Sequence, residues 1–199
     1  MIAALTGSIG CGKSTVLEIF SRMEWFTLSA DRICHDIYNS GDLEFNAAIA
    51  ERWGADIIRD DGTADKKRIS AIVFNDKKEL NWLNSVLHPI IMQKAGQLIS
   101  SVNREFVLFE VPLLYEAGLE DRFDAVICVW TSAASQHRRL KERGLDEKDI
   151  RLRMNNQLSA DIKLEKAGYG LINEGRVELL NEQCVILNHQ IREEYGRQR

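Results

Sequence analysis

The sequence predicts an α/β fold, a parallel sheet with helices on both faces. Three observations predict it. Short, continuous apolar runs such as FVLFEV from Phe106 and DAVICVW from Asp124 have the character of strands buried on both sides. Longer stretches with helical periodicity separate them. The first run, Ile2–Thr6, passes straight into the glycine-rich TGSIGCGKST of Thr6–Thr15 and then into a helix.

Each element has its own reason. Ile2–Thr6 is expected as a buried strand, Ser14–Met23 as a helix and Phe26–Ser29 as a second short strand. Arg32–Tyr38 and Leu43–Trp53 read as helices parted by the break NSGD. The polar stretch RDDGTADKK follows, and Asp65 is placed to cap a helix over Lys66–Phe74. A further helix covers Lys78–Leu87. Pro89 is expected to open the next one, because proline suits a first helical turn. Asp60–Asn103 therefore reads as a helical insertion. After the strands beginning at Phe106 and Asp124, Ser132 is placed to cap a helix over Ala133–Arg143. Asp146–Asn156 reads as an arginine-rich helix, Tyr169–Asn173 as the last strand and Arg176–Tyr195 as the last helix.

Composition narrows the function. A hydrophobic fraction of 45% and a charged fraction of 28% in 199 residues describe one ordinary globular domain. A net charge of −4 argues against general nucleic-acid binding. Basic residues gather locally, at Lys66–Arg68 and around Arg138–Arg143, which suits a small anionic ligand better than a polymer. Cys11, Cys34, Cys128 and Cys184 are scattered without metal-type spacing, and reduced thiols are expected. No apolar run approaches membrane-spanning length, and the first residues have no signal-type pattern, so a cytoplasmic location is expected.

The segment Gly7-Ser8-Ile9-Gly10-Cys11-Gly12-Lys13-Ser14 fits the P-loop pattern G-x-x-x-x-G-K-[ST]. Glycines let successive backbone N–H groups turn inward as an anion nest, and the following helix N-terminus adds partial positive charge. Lys13 can reach the outer phosphates of a nucleoside triphosphate, and the Ser14 hydroxyl is placed for Mg²⁺. Thr15 suits packing or hydrogen bonding within the first helical turn. Cys11 occupies a variable position whose thiol needs no role. The guanine-reading N-K-x-D and the D-x-x-G string are both absent, and the chain's size suits a small-molecule kinase.

Phosphoryl transfer needs more than a phosphate site. Asp31, in TLSADR after the second strand, is placed to take the acceptor hydroxyl proton as a buried carboxylate. It also suits capping a helix from Arg32, and both readings stay open. Arg139 and Arg143 lie one turn apart on one helix face, where they could close over a triphosphate and exclude water; a solvated face is the plainer alternative. Glu110 ends a buried strand, where it could hold a Mg²⁺ shell through water or pair with a basic residue.

These residues together resemble the dephospho-CoA kinase family, a group of small P-loop kinases. The resemblance is carried by LTGSIGCGKST, SADRICHDIY, LHP at Leu87–Pro89, VPLLYEAGL at Val111–Leu119, QHRRLKERG at Gln136–Gly144 and NNQL at Asn155–Leu158. It implies transfer of the ATP γ-phosphate to the ribose 3′-hydroxyl of dephospho-CoA, with Mg²⁺, as the last step of coenzyme A synthesis. It also implies a single domain: a core of 1–59, 104–132 and 168–199, a CoA-binding insertion at 60–103 and a lid at 133–167. The family's nucleotide-binding stretch falls on Gly10, Cys11, Gly12, Lys13, Ser14 and Thr15, joined by Arg143. Its catalytic positions fall on Lys13, Asp31 and Arg139, and its metal positions on Ser14 and Glu110. Asp31, His88 and Pro89 fall at the acceptor site, though His88 equally suits a capping or core role.

The chain departs from the family pattern at Ser29, where an aspartate is common, at Lys66, where an arginine is common, and in GYGLIN, which lacks acidic residues around Asn173. The resemblance implies ATP and dephospho-CoA as partners, no nucleic acid, no membrane, and a monomer or weak homo-oligomer. Two other readings remain: a small P-loop kinase for a nucleoside, nucleotide or sugar-like acid, and a non-catalytic nucleotide-sensing switch.

Overall fold

The computed structural model describes residues 1–74 and 76–197. Among them, five strands form one sheet: β1 (Ile2–Thr6), β2 (Phe26–Ser29), β3 (Val107–Glu110), β4 (Ala125–Trp130) and β5 (Tyr169–Ile172). The order is β2-β3-β1-β4-β5. β1 lies at the centre, parallel to β3 with Leu5 opposite Glu110, and parallel to β4 with Thr6 opposite Cys128. β5 continues the sheet parallel to β4. The apolar run from Phe106 stops being strand at Glu110 because Pro112 has no N–H to offer a ladder.

The chain divides into two compact units, one of residues 1–28 with 103–199 and one of 29–102. In the first, strand alternation splits the core between the two faces of the sheet. Ala3, Leu5, Leu108, Ile127, Val129 and Leu171 face α1 (Lys13–Arg22) and α9 (Val177–Arg197), which bury Val16, Ile19, Phe20, Leu180, Leu187 and Ile191 against them. Each of the larger ones, Ala3 excepted, contributes roughly 1.5–3 kcal/mol on burial. α6 (Ala133–Glu142), α7 (Glu147–Asn155) and α8 (Ala160–Lys166) complete the unit, with α8 packed on β4. The sheet ends at β5. There Gln183 of α9 accepts from the Ile172 N–H and donates to the Ile172 carbonyl, both at 2.9 Å.

The second unit is helical: α2 (Ala30–Asn39), α3 (Leu43–Trp53), α4 (Lys66–Phe74) and α5 (Lys77–Ser101). It takes in α2 and α3 as well as most of the stretch read as an insertion from residue 60. Asp65 caps α4 as expected, accepting from the Lys67 and Arg68 N–H groups at 3.0 and 3.2 Å.

Three expectations need correction. Pro89 does not open a helix; it lies inside the continuous α5. Leu83, Leu87, Ile90, Ile91 and Ala95 keep one buried stripe in phase across it, and that burial outweighs the lost backbone hydrogen bond. α2 begins at Ala30, so Asp31 sits in its first turn rather than at its cap, and Asp31 is exposed, not buried. Finally, α8 was absent from the elements read in the sequence. Its signal was Ser159, whose hydroxyl accepts from the Ile162 N–H at 3.2 Å.

Because Pro89 is exposed and interrupts an otherwise regular helix, Pro89→Ala is expected to raise the unfolding free energy by about 1–3 kcal/mol. Urea denaturation checks this; a lower midpoint would mean that the ring itself packs usefully.

Candidate active site

The loop between β1 and α1 is built on positive backbone angles: φ is +143° at Gly7, +78° at Gly10 and +99° at Gly12. Only glycine adopts these cheaply. Space is as restrictive as torsion. A Cβ on Gly7 would lie 2.4 Å from the Val129 carbonyl oxygen, and one on Gly12 would lie 2.3 Å from Asn173 Nδ2.

The loop's carbonyls are satisfied by side chains around it. Buried Lys13 donates from Nζ to the Gly7 and Ser8 oxygens at 3.0 and 3.2 Å. Arg139 of α6 donates to the Gly10 oxygen at 3.3 Å, to the Cys11 oxygen at 3.4 Å and to the Asn173 oxygen at 2.7 Å. Asn173 Nδ2 donates to the Cys11 oxygen at 2.8 Å. Burial raises the pKa of the Cys11 thiol, against the pull of the Lys13 charge, so this cysteine offers backbone rather than a nucleophile. Ser14 is exposed in the first turn of α1, and Thr15 is partly buried beside it.

A family model described as dephospho-CoA kinase matches residues 1–178. The chain belongs to the dephospho-CoA kinase family. A dephospho-CoA kinase of Corynebacterium glutamicum is 33% identical over 184 residues, 90% of this chain and 92% of that protein. Among solved structures, the dephospho-CoA kinase of Campylobacter jejuni superposes with a TM-score of 0.70 at 27% identity, covering 98% of each chain. A Thermus thermophilus structure titled TT1252 gives a TM-score of 0.79 at 26% identity, covering 95% of this chain and 97% of that one.

The remaining positions that the dephospho-CoA kinase pattern marks are distributed as follows. Arg143 is the exposed C-terminal cap residue of α6, and its N–H donates to the Arg139 carbonyl one turn back at 3.2 Å. Glu110 ends β3, partly buried, opposite Leu5. In the helical unit, Asp31 occupies the first turn of α2, and His88 and Pro89 lie near the middle of α5. Burial lowers the pKa of His88, which favours the neutral imidazole. Lys66, where the family often has arginine, places Nζ 3.1 Å from His35 Nδ1 and 5.4 Å from the centre of the Tyr38 ring. Among the described residues no group of three or more His, Cys, Asp or Glu is placed to hold a metal, and no helix is long and apolar enough to cross a membrane.

One residue that shapes the site had no signal in the sequence. Glu174, just after β5, gathers the start of α6. Its carboxylate accepts from the Thr131 hydroxyl at 2.5 Å, from the Ser132 N–H and from the Ser135 hydroxyl at 2.8 Å. Ser132 itself caps α6 as expected, accepting from the Ser135 N–H at 3.3 Å. Glu174 thus fixes the helix that carries Arg139. These donors, the Thr131 hydroxyl first, lower its pKa from 4.5 to about 2.

A carboxylate depressed in the folded state stabilises the fold above its unfolded pKa, and loses that contribution as the pH falls through its folded one. Glu174→Gln is therefore expected to lower the melting temperature near neutral pH, with the difference from the parent narrowing between about pH 4.5 and about pH 2. Thermal melts of both proteins across that range check it.

Proposed function

We propose that the protein transfers the γ-phosphoryl group of ATP to the ribose 3′-hydroxyl of dephospho-CoA, giving coenzyme A and ADP in the last step of coenzyme A synthesis. The observation that carries this reading is the family match over residues 1–178, which includes a complete phosphate loop between strand and helix.

The residues take the following roles. Gly10, Cys11, Gly12, Lys13, Ser14 and Thr15 offer backbone N–H groups to the triphosphate. Lys13 is buried on two loop carbonyls, a short reach from where phosphates would lie, and its charge meets theirs. Arg139 braces the loop and adds positive charge there, while Arg143, exposed at the C-terminal end of α6, reaches the nucleotide from outside. Asp31 takes the acceptor hydroxyl proton, and its exposure makes it accessible to substrate. His88, as a neutral imidazole, and Pro89 contact the acceptor.

Mg²⁺ suits the donors present, because it typically takes one or two protein ligands beside substrate phosphates. The open Ser14 hydroxyl would be one, with Glu110 acting through water. When bound, the ion neutralises charge on the transferring group. The reading carries with it a cytoplasmic enzyme, acting as a monomer or weak homo-oligomer and needing neither nucleic acid nor membrane.

The test is a coupled ADP-release assay with dephospho-CoA, adenosine, AMP and shikimate as acceptors. Turnover is expected with dephospho-CoA; a preference for another acceptor would move the protein to a different small kinase. Asp31→Asn is expected to keep ATP affinity and lose about 10²–10⁴-fold in kcat. Lys13→Ala should weaken both. An Asp31→Asn variant with unchanged kcat would remove Asp31 from the chemistry.

A further inference from the structure

The segment before α8 is fastened to the phosphate loop. The Ile9 N–H, third in the loop, donates to Gln157 Oε1 at 2.9 Å. One residue on, the Ser8 hydroxyl donates to the Leu158 carbonyl at 3.4 Å. A backbone N–H can only donate, so the amide oxygen of Gln157 must face Ile9. Beside these contacts is a cavity of about 550 Å³, lined in part by Ser8, Trp130, Gln136, Gln157 and Asp161.

The far side of the same segment is anchored more firmly. The Leu158 N–H donates to Glu116 Oε1 at 2.8 Å. That oxygen also pairs with Lys163 Nζ at 2.9 Å, and Lys163 is completely buried while Glu116 is 20% exposed. Lys163 also donates to the Pro112 carbonyl at 2.7 Å. A buried ammonium is costly unless paired, so neither partner leaves the other easily. The turn 112–118 and α8 are thereby pinned together, and the residues between α7 and α8 are held at a fixed distance from the loop.

We propose that Gln157 is a positioning residue for phosphoryl transfer, latching residues 155–158 to the phosphate loop with the Glu116–Lys163 pair as its fixed end. The proposal rests on the kinase reading and deepens it. In transfer, the acceptor oxygen bonds to the γ-phosphorus, the bond from that phosphorus to the β–γ bridging oxygen breaks, ADP leaves with the electron pair, and the hydroxyl proton passes to Asp31. Water can replace the acceptor in the same displacement, giving ADP and inorganic phosphate. The latch closes one side of the loop, so that ATP waits for its acceptor instead of meeting water.

Two readouts test it. Amide exchange at Ile9, followed by NMR in the nucleotide-free protein, reads the latch directly. ADP release with and without dephospho-CoA reads its consequence. Gln157→Ala is expected to speed Ile9 exchange about fivefold, the weight of one hydrogen bond, to raise acceptor-independent ADP release and to lower kcat with dephospho-CoA, while ATP affinity changes little. Gln157→Glu keeps an oxygen at the same reach and should restore Ile9 protection, which a loss due to general loosening would not show. Unchanged Ile9 exchange in Gln157→Ala, or an unchanged ratio of hydrolysis to transfer, overturns the latch. A parent protein that releases no ADP with dephospho-CoA overturns the functional reading instead, and Ile9 exchange then decides the latch alone.

Discussion

The phosphate loop depends on partners for its carbonyls. A chain that turns its N–H groups toward an anion must turn several C=O groups the other way, and a buried carbonyl without a donor is expensive. Here the donors come from three directions. Lys13 folds back on the oxygens of Gly7 and Ser8, Arg139 reaches those of Gly10 and Cys11, and the Asn173 amide shares that of Cys11. The loop is thus a negotiated shape, held as much by α6 and the end of β5 as by its own glycines.

That arrangement explains why charge accumulates behind the loop without disorder. Arg139 has its guanidinium committed to carbonyls at 2.7–3.4 Å, so it is ordered before any ligand arrives. Glu174 orders the start of the same helix. An electrostatic contribution that costs no rearrangement at the moment of reaction is the kind most useful to catalysis.

The sequence revealed what local chemistry controls. The strand–loop–helix unit was legible because its glycines and lysine sit within eight consecutive residues, and the caps at Asp65 and Ser132 because capping is a matter of the next three residues. What escaped it was set by distant partners. The contacts of Arg139 with the loop had no local signal, because its acceptors lie 129 and 128 residues earlier in the chain and 34 later. The complete burial of Lys163 against Glu116 likewise has no local signal. Pro89 was misplaced because a local rule about proline yielded to a stripe of buried side chains running past it.

The last strand carries a quieter lesson. Gln183 offers the outward-facing peptide of Ile172 one acceptor and one donor, as a neighbouring strand would. A single side chain thereby stands in for a sixth ribbon. The margin of the sheet is finished from within, and that position is no longer a free template on which a sister molecule could stack or an extended peptide could zip.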